Sequence, residues 1–163
     1  MKRETSKLST PRLNRRLMQR VRVAVIRAEY NSEITLSLEQ RCVLGLREAG
    51  LRSDQIECIA VPGCFEIPLA AQRLALGKRF DALIALGAVI QGETLHFELV
   101  AGECARGVMA VSIKHNIPVI FEVLATRNRR DALRRAGKNR ANKGYEAAAA
   151  AISMLAALET LKD

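Results

Sequence analysis

Residues 82–107 read Ala82-Leu83-Ile84-Ala85-Leu86-Gly87-Ala88-Val89-Ile90-Gln91-Gly92-Glu93-Thr94-Leu95-His96-Phe97-Glu98-Leu99-Val100-Ala101-Gly102-Glu103-Cys104-Ala105-Arg106-Gly107. The apolar run over 82–90 is that of a strand buried on both faces, and the glycine-containing turn Gln91-Gly92-Glu93 ends it. A helix follows, with Thr94 as its expected N-cap and His96 in its first turn. Gly92 lets a ligand approach the backbone, and the free N–H groups of a first helical turn suit an anion. The positive end of the helix disfavours an imidazolium, so His96 is expected as a neutral imidazole that accepts and returns a proton. A strand, a turn and a helix with an anion pocket beside a base make up one unit of an α/β protein.

The same alternation extends in both directions. Residues 21–27 and 57–61 are expected strands, the second stopped by Pro62-Gly63, and 118–124 is a fourth. A helix is predicted over 33–49, capped by Asn31 or Ser32, with Ile34, Leu38, Cys42 and Leu46 on one face and Gly50 ending it. Pro68 opens another, whose apolar surface is assigned to Leu69, Ala70, Leu74 and Leu76. The helix after residue 95 reaches about Lys114, a short one covers 128–136 and a long alanine-rich one 144–162. Strand and helix in alternation imply a three-layer α/β/α fold: a four-stranded parallel sheet with helices on both faces and a ligand site at the carboxyl ends of the strands.

The chain has 163 residues, enough for one domain. It lacks tryptophan and is 4% aromatic, so an aromatic at a strand end, such as Tyr30, Phe65 or Phe121, stands where a ligand is expected. Cys42, Cys58, Cys64 and Cys104 have no C-x-x-C spacing and only two histidines accompany them; they read as reduced core thiols, with no metal site. His115 reads as a partner of its helix C-terminus or a surface residue. The run over 147–158 is too short to span a bilayer, and no apolar signal segment is present, so the expectation is a cytoplasmic protein with no membrane partner. The net charge is +9, of which residues 1–20 hold +6 (seven cations, one acid) and the other 143 residues +3. Residues 1–20 are therefore set apart as a basic, flexible extension from a domain over 21–163. Without aromatics or a nucleic-acid fold beside it, this extension is a solvated tail, and no specific nucleic-acid partner is expected.

Ala85-Leu86-Gly87-Ala88-Val89-Ile90-Gln91-Gly92-Glu93-Thr94-Leu95-His96-Phe97 resembles the signature of the lumazine synthase family. Residues 24–31, 61–68 and 118–124 are similar to its other strand-end segments, and Arg134-Arg135-Ala136-Gly137 and Asn142-Lys143-Gly144 complete the set; the resemblance covers about 21–160. It implies a flavodoxin-like scaffold and the penultimate step of riboflavin biosynthesis: condensation of 5-amino-6-(D-ribitylamino)uracil with 3,4-dihydroxy-2-butanone 4-phosphate, without a cofactor. By resemblance, His96 is the catalytic proton-transfer residue. Tyr30, Asn31, Cys64, Phe65, Glu66, Ala88, Val89, Ile90, Phe121 and Lys143 take the pyrimidine substrate, and Gly92, Glu93, Thr94 and Arg135 the phosphate. Tyr30 stands where the family commonly has phenylalanine, Gln91 and Asn139 where it often has arginine and lysine.

The resemblance further implies a homo-oligomer: a pentameric ring in which the aromatic at Phe121 reaches the neighbouring pocket, and riboflavin synthase as a candidate partner. The uninterrupted link ending Asn142-Lys143-Gly144 favours pentamers assembled into an icosahedral shell, although Ala141 occupies a position where that link often has glycine. Two other readings share the layout, a non-catalytic flavin or nucleotide-binding module and a shell-forming scaffold. Whether His96 and Arg135 share one phosphate pocket separates the first of these from the enzyme.

Overall fold

The computed structural model of the chain describes residues 13–161. Its elements, in order, are α1 (Arg15–Met18), β1 (Val23–Ala28), α2 (Ser32–Glu48), β2 (Ile56–Val61), α3 (Ile67–Leu76), β3 (Ala82–Ile90), α4 (His96–His115), β4 (Val119–Thr126), α5 (Arg129–Arg135) and α6 (Lys143–Thr160). The four strands form one parallel sheet in the order β2-β1-β3-β4. Helices cover both faces, as the three-layer, flavodoxin-like reading requires.

Alternation along the strands divides the core in two. Val23 and Val25 of β1 with Ile84 and Leu86 of β3 face α2 and α6; Ala24, Ile26, Leu83 and Ala85 face α3 and α4. Small residues let the helices close on one another. A side chain at Gly144 would overlap the carbonyl group of Leu38, and one at Gly45 would stand 2.8 Å from Ala148, so α2 and α6 pack nearly backbone to backbone. The alanine face of α6 (Ala147, Ala148, Ala151) is therefore used within the subunit.

Several boundaries and faces differ from expectation. On α3 the buried positions are Ile67, Ala71 and Ala75, whereas Leu69 and Leu76 are 66% and 57% exposed. Cys58 is exposed on the edge strand β2, while the other three cysteines are buried. His115 is held by Gln72 of α3, 2.9 Å from its Oε1, as well as ending α4. The expected flexible extension divides at its middle: residues 1–12 lie outside the described part, but Leu13 is buried, Leu17 and Met18 pack on the core, and Gln55 donates from its buried amide to the carbonyls of Met18 and Val21. Residues 13–20 thus belong to the folded body, because a short amphipathic turn can bury three apolar side chains where the charge count registers only its arginines.

Ala141 needs no left-handed backbone. The only non-glycine residues with positive φ among those described are Asn31, Lys78 and Asn116. Asn139 shapes the link instead, accepting the Ala141 N–H at 3.0 Å through Oδ1 and the Asn142 N–H through its carbonyl.

Candidate active site

The crossover from β1 leaves through α2 on one face, and the crossover from β3 leaves through α4 on the other. The two strands are neighbours, so their carboxyl ends diverge around a crevice. A cavity of about 770 Å³ occupies it, within the usual range for small-molecule sites.

One wall is the end of β1. Asn31 sits at the head of α2 with φ 59° and ψ 45°, a left-handed conformation asparagine tolerates better than most residues. Its side chain does not cap the helix, as was expected of Asn31 or Ser32; Nδ2 donates to the Ala88 carbonyl at 2.9 Å. That bond ties the end of β1 to the end of β3 across the crevice. The Glu29 and Tyr30 N–H groups donate to the carbonyls of Val61 and Pro62, fixing Tyr30 on the rim, where the residue is 75% exposed. Its hydroxyl has no protein partner among the described residues and is open to water.

The second wall is a 3-10 turn, Cys64–Glu66, that presents Phe65 and Glu66. It leans on β3 at Gly87, where a Cβ would lie 2.5 Å from the Cys64 sulfur, so any side chain there would push the turn outward. Burial raises the Cys64 thiol to about 11. The thiol therefore stays protonated, and Cys64 contributes position and backbone groups.

The floor is Ala88, Val89 and Ile90, and the third wall is the start of α4. The helix begins at His96, with Leu95 in the cap position, so Thr94 is not the cap; its hydroxyl accepts the His96 N–H at 3.4 Å, the outer limit of a hydrogen bond. The Gly92, Glu93 and Thr94 N–H groups make no hydrogen bond among the described residues. A Cβ at Gly92 would meet nothing within 4 Å, which leaves the approach to these donors open. His96 is exposed and lines the cavity opposite Tyr30 and Phe65.

Eleven of the expected residues, from Tyr30 to His96, thus line one cavity. Glu93 is adjacent but not in the lining. Sequence reading missed Pro62, Gly63, Phe97, Leu99 and Val100, which also line it; the signal available for the last three was their spacing of one to four residues from His96 on a helix.

Phe121, Arg135 and Lys143 are elsewhere. Phe121 is 39% exposed on β4, the edge strand opposite β2, and it pairs with Ala85 and so lies on the α3/α4 side. Its neighbour Glu122 points to the other face, where Lys143 and Glu146 of α6 and Arg135 of α5 surround it. Burial raises the Glu122 carboxyl to about 7, with the Lys143 and Arg135 charges acting the other way. Lys143 is ion-paired with Glu146, and Arg135 is exposed. Within one chain the sheet lies between His96 and Arg135, so they do not share a pocket.

The sequence profile of the 6,7-dimethyl-8-ribityllumazine synthase family matches residues 20–159, all four strands and almost all of α6. The chain belongs to this family. Of the described elements only α1 falls outside the matched lumazine synthase region, although it is packed on the core through Leu17 and Met18. No helix among the described residues is long and apolar enough to cross a membrane.

Proposed function

We propose that the chain condenses 5-amino-6-(D-ribitylamino)uracil with 3,4-dihydroxy-2-butanone 4-phosphate to 6,7-dimethyl-8-ribityllumazine, releasing phosphate and water. The observation that carries this reading is the single cavity in which Tyr30, Asn31, Glu66, unbonded backbone N–H groups and His96 converge in a chain of the lumazine synthase family. The exposed Tyr30 ring offers a stacking face to the pyrimidine, and main-chain groups of Ala88, Val89 and Ile90 meet its polar edge. Asn31, Glu66 and the backbone at Cys64 and Phe65 supply partners for the ribityl hydroxyls. The N–H groups at Gly92, Glu93 and Thr94 take the phosphate. His96, beside them, moves protons through carbinolamine, imine, phosphate elimination and ring closure. Both reactants are reactive toward each other, so positioning supplies much of the acceleration.

A second copy completes the site. It brings its β4 edge to the cavity, its Phe121 over the pyrimidine, and its Arg135 and Lys143 to the phosphate and the ring. Two features support this assembly. The sheet separates the two residue groups in one chain, and α4 carries an exposed apolar stripe: Leu95, Leu99, Met109 and Ile113 lie within a quarter-turn of one another and are 59–75% exposed. The ring is a pentamer, and the link over 136–142, without insertion, favours pentamers closing into an icosahedral shell.

The test is direct. Purified protein mixed with both substrates should produce lumazine fluorescence; no product would overturn the reading. His96→Ala and Arg135→Ala proteins, each impaired alone, should gain activity when unfolded together and refolded, because some interfaces then pair an intact His96 with an intact Arg135. A mixture as inactive as its components would refute the shared site. Light scattering at neutral pH decides the shell: a particle no larger than a pentamer or a pair of pentamers would defeat it.

A further inference from the structure

The +3 charge of the chain beyond residue 20 is itself uneven. Residues 127–143 hold six arginines and two lysines against one aspartate, +7 in seventeen residues, so the remainder of that region is net −4. The structure lays this segment lengthwise along α2. Arg129 pairs with Glu33 at the start of α2, Ser37 donates to the Ala136 carbonyl at 2.6 Å, Arg41 donates to the Lys138 carbonyl, and Arg140 pairs with Glu48 at the end. Glu48 follows Glu33 by fifteen steps of the helix, so the segment forms a stripe about 22 Å long. Carboxylates occupy Arg129, Arg134, Arg140 and Lys143, and Arg135 acts on Glu122. Arg127, Arg130 and Lys138 are exposed and have no carboxylate partner among the described residues.

We propose that this stripe is a sequence-independent binding surface for the phosphate backbone of duplex nucleic acid. A straight row of cations suits a straight polyanion, and guanidinium forks suit phosphate oxygens. Each strand of a duplex offers one phosphate per 3.4 Å of rise, about six along the stripe. The stripe has no platform for unpaired bases. Residues 127–143 contain no aromatic, and Tyr145 just beyond them bonds Glu48 through its hydroxyl with its ring 5.7 Å from the Arg140 guanidinium. Contact is therefore with the backbone and carries no sequence preference.

The experiment is fluorescence anisotropy of the full chain with a short labelled DNA duplex of random sequence, between 50 and 200 mM salt. Three free cations neutralising three phosphates give a slope of about −2.7 in log affinity against log salt, a fall of about 40-fold over that range. The double variant Arg130→Glu with Lys138→Glu should shrink the slope by about 0.9 per reversed cation and weaken binding at low salt at least tenfold, while lumazine formation, as a check on folding, stays unchanged. Alanine at Lys2, Arg3 and Lys7 in the full chain should leave most of the affinity. Binding that survives the double reversal, or that disappears when those three residues are neutralised, would overturn the stripe. So would an absence of binding at low salt. Poly-glutamate competing as well as the unlabelled duplex would assign the surface to an acidic protein instead and equally overturn it.

Discussion

Replacing Glu122 by glutamine should stabilise the protein, and more so as the pH rises. The carboxyl is half-buried on β4, facing Lys143 and Glu146 of α6, Arg135 of α5 and, from α2, Cys42. Desolvation dominates these neighbours and raises its pKa from 4.5 to about 7. The sign follows from proton binding: between these values the folded state holds a proton that the unfolded chain has released, so stability falls as the pH climbs from 4.5 through 7. A tenfold change in proton affinity is worth about 1.4 kcal/mol, which puts the ceiling at about 3 kcal/mol, and access of water to part of the carboxyl lowers this to about 1–2 kcal/mol. Glutamine keeps the shape without the charge. Guanidinium midpoints at one protein concentration should show the variant and the parent close at pH 4.5 and the variant ahead by about 1–2 kcal/mol at pH 8, with the same slope. A difference independent of pH, or a variant less stable at pH 8, would refute the argument that burial controls this group.

Three further outcomes are expected. His96→Ala should lower kcat by about 10²-fold or more with KM for either substrate nearly unchanged, in steady-state lumazine assays; unchanged turnover would remove the proton-transfer role. Arg135→Lys, which keeps the charge and loses the fork, should raise KM for the butanone phosphate about tenfold and spare the pyrimidine, whereas equal losses for both would indicate a folding defect. Gly144→Ala should destabilise by at least about 3 kcal/mol in thermal melts, because the new methyl would lie 2.6 Å from the Leu38 carbonyl carbon and both helices would have to separate.

The fold was legible wherever one kind of residue filled a whole element. Strand β3 falls over 82–90 as expected, since nine consecutive residues without a formal charge have few other uses. Apart from α1, which was not expected, the other elements begin or end within about two residues of their expected places, at caps such as Asn128 and Asn142, whose side chains accept the Asp131 and Gly144 N–H groups. Reading failed where hydrophobicity does not identify its partner. Leu69 and Leu76 look like core residues by type, yet the smaller Ala71 and Ala75 are buried, because α3 approaches α4 closely: a Cβ at Gly107 would stand 2.7 Å from Pro68. Leucines on the outer face of such a tight pair are left for another surface.

The site divides along the same line. Everything that lines the cavity is carried by the ends of β1 and β3, the 3-10 turn beside them and the first turns of α4, so local sequence order and spatial neighbourhood coincide there. Phe121, Arg135 and Lys143 were assigned by resemblance, and nothing local to their segments says on which face of the sheet they emerge. The register decides it. Glu122 lies opposite Leu86 and so shares the α2/α6 side, where Arg135 and Lys143 act on it, whereas His96 opens α4 on the other side. A rotamer change moves a guanidinium by a few ångströms and cannot carry it through a sheet. If these residues serve one phosphate, they do so across a boundary between chains, and a substitution at the β4 edge then impairs the cavity of a neighbouring copy while leaving its own intact.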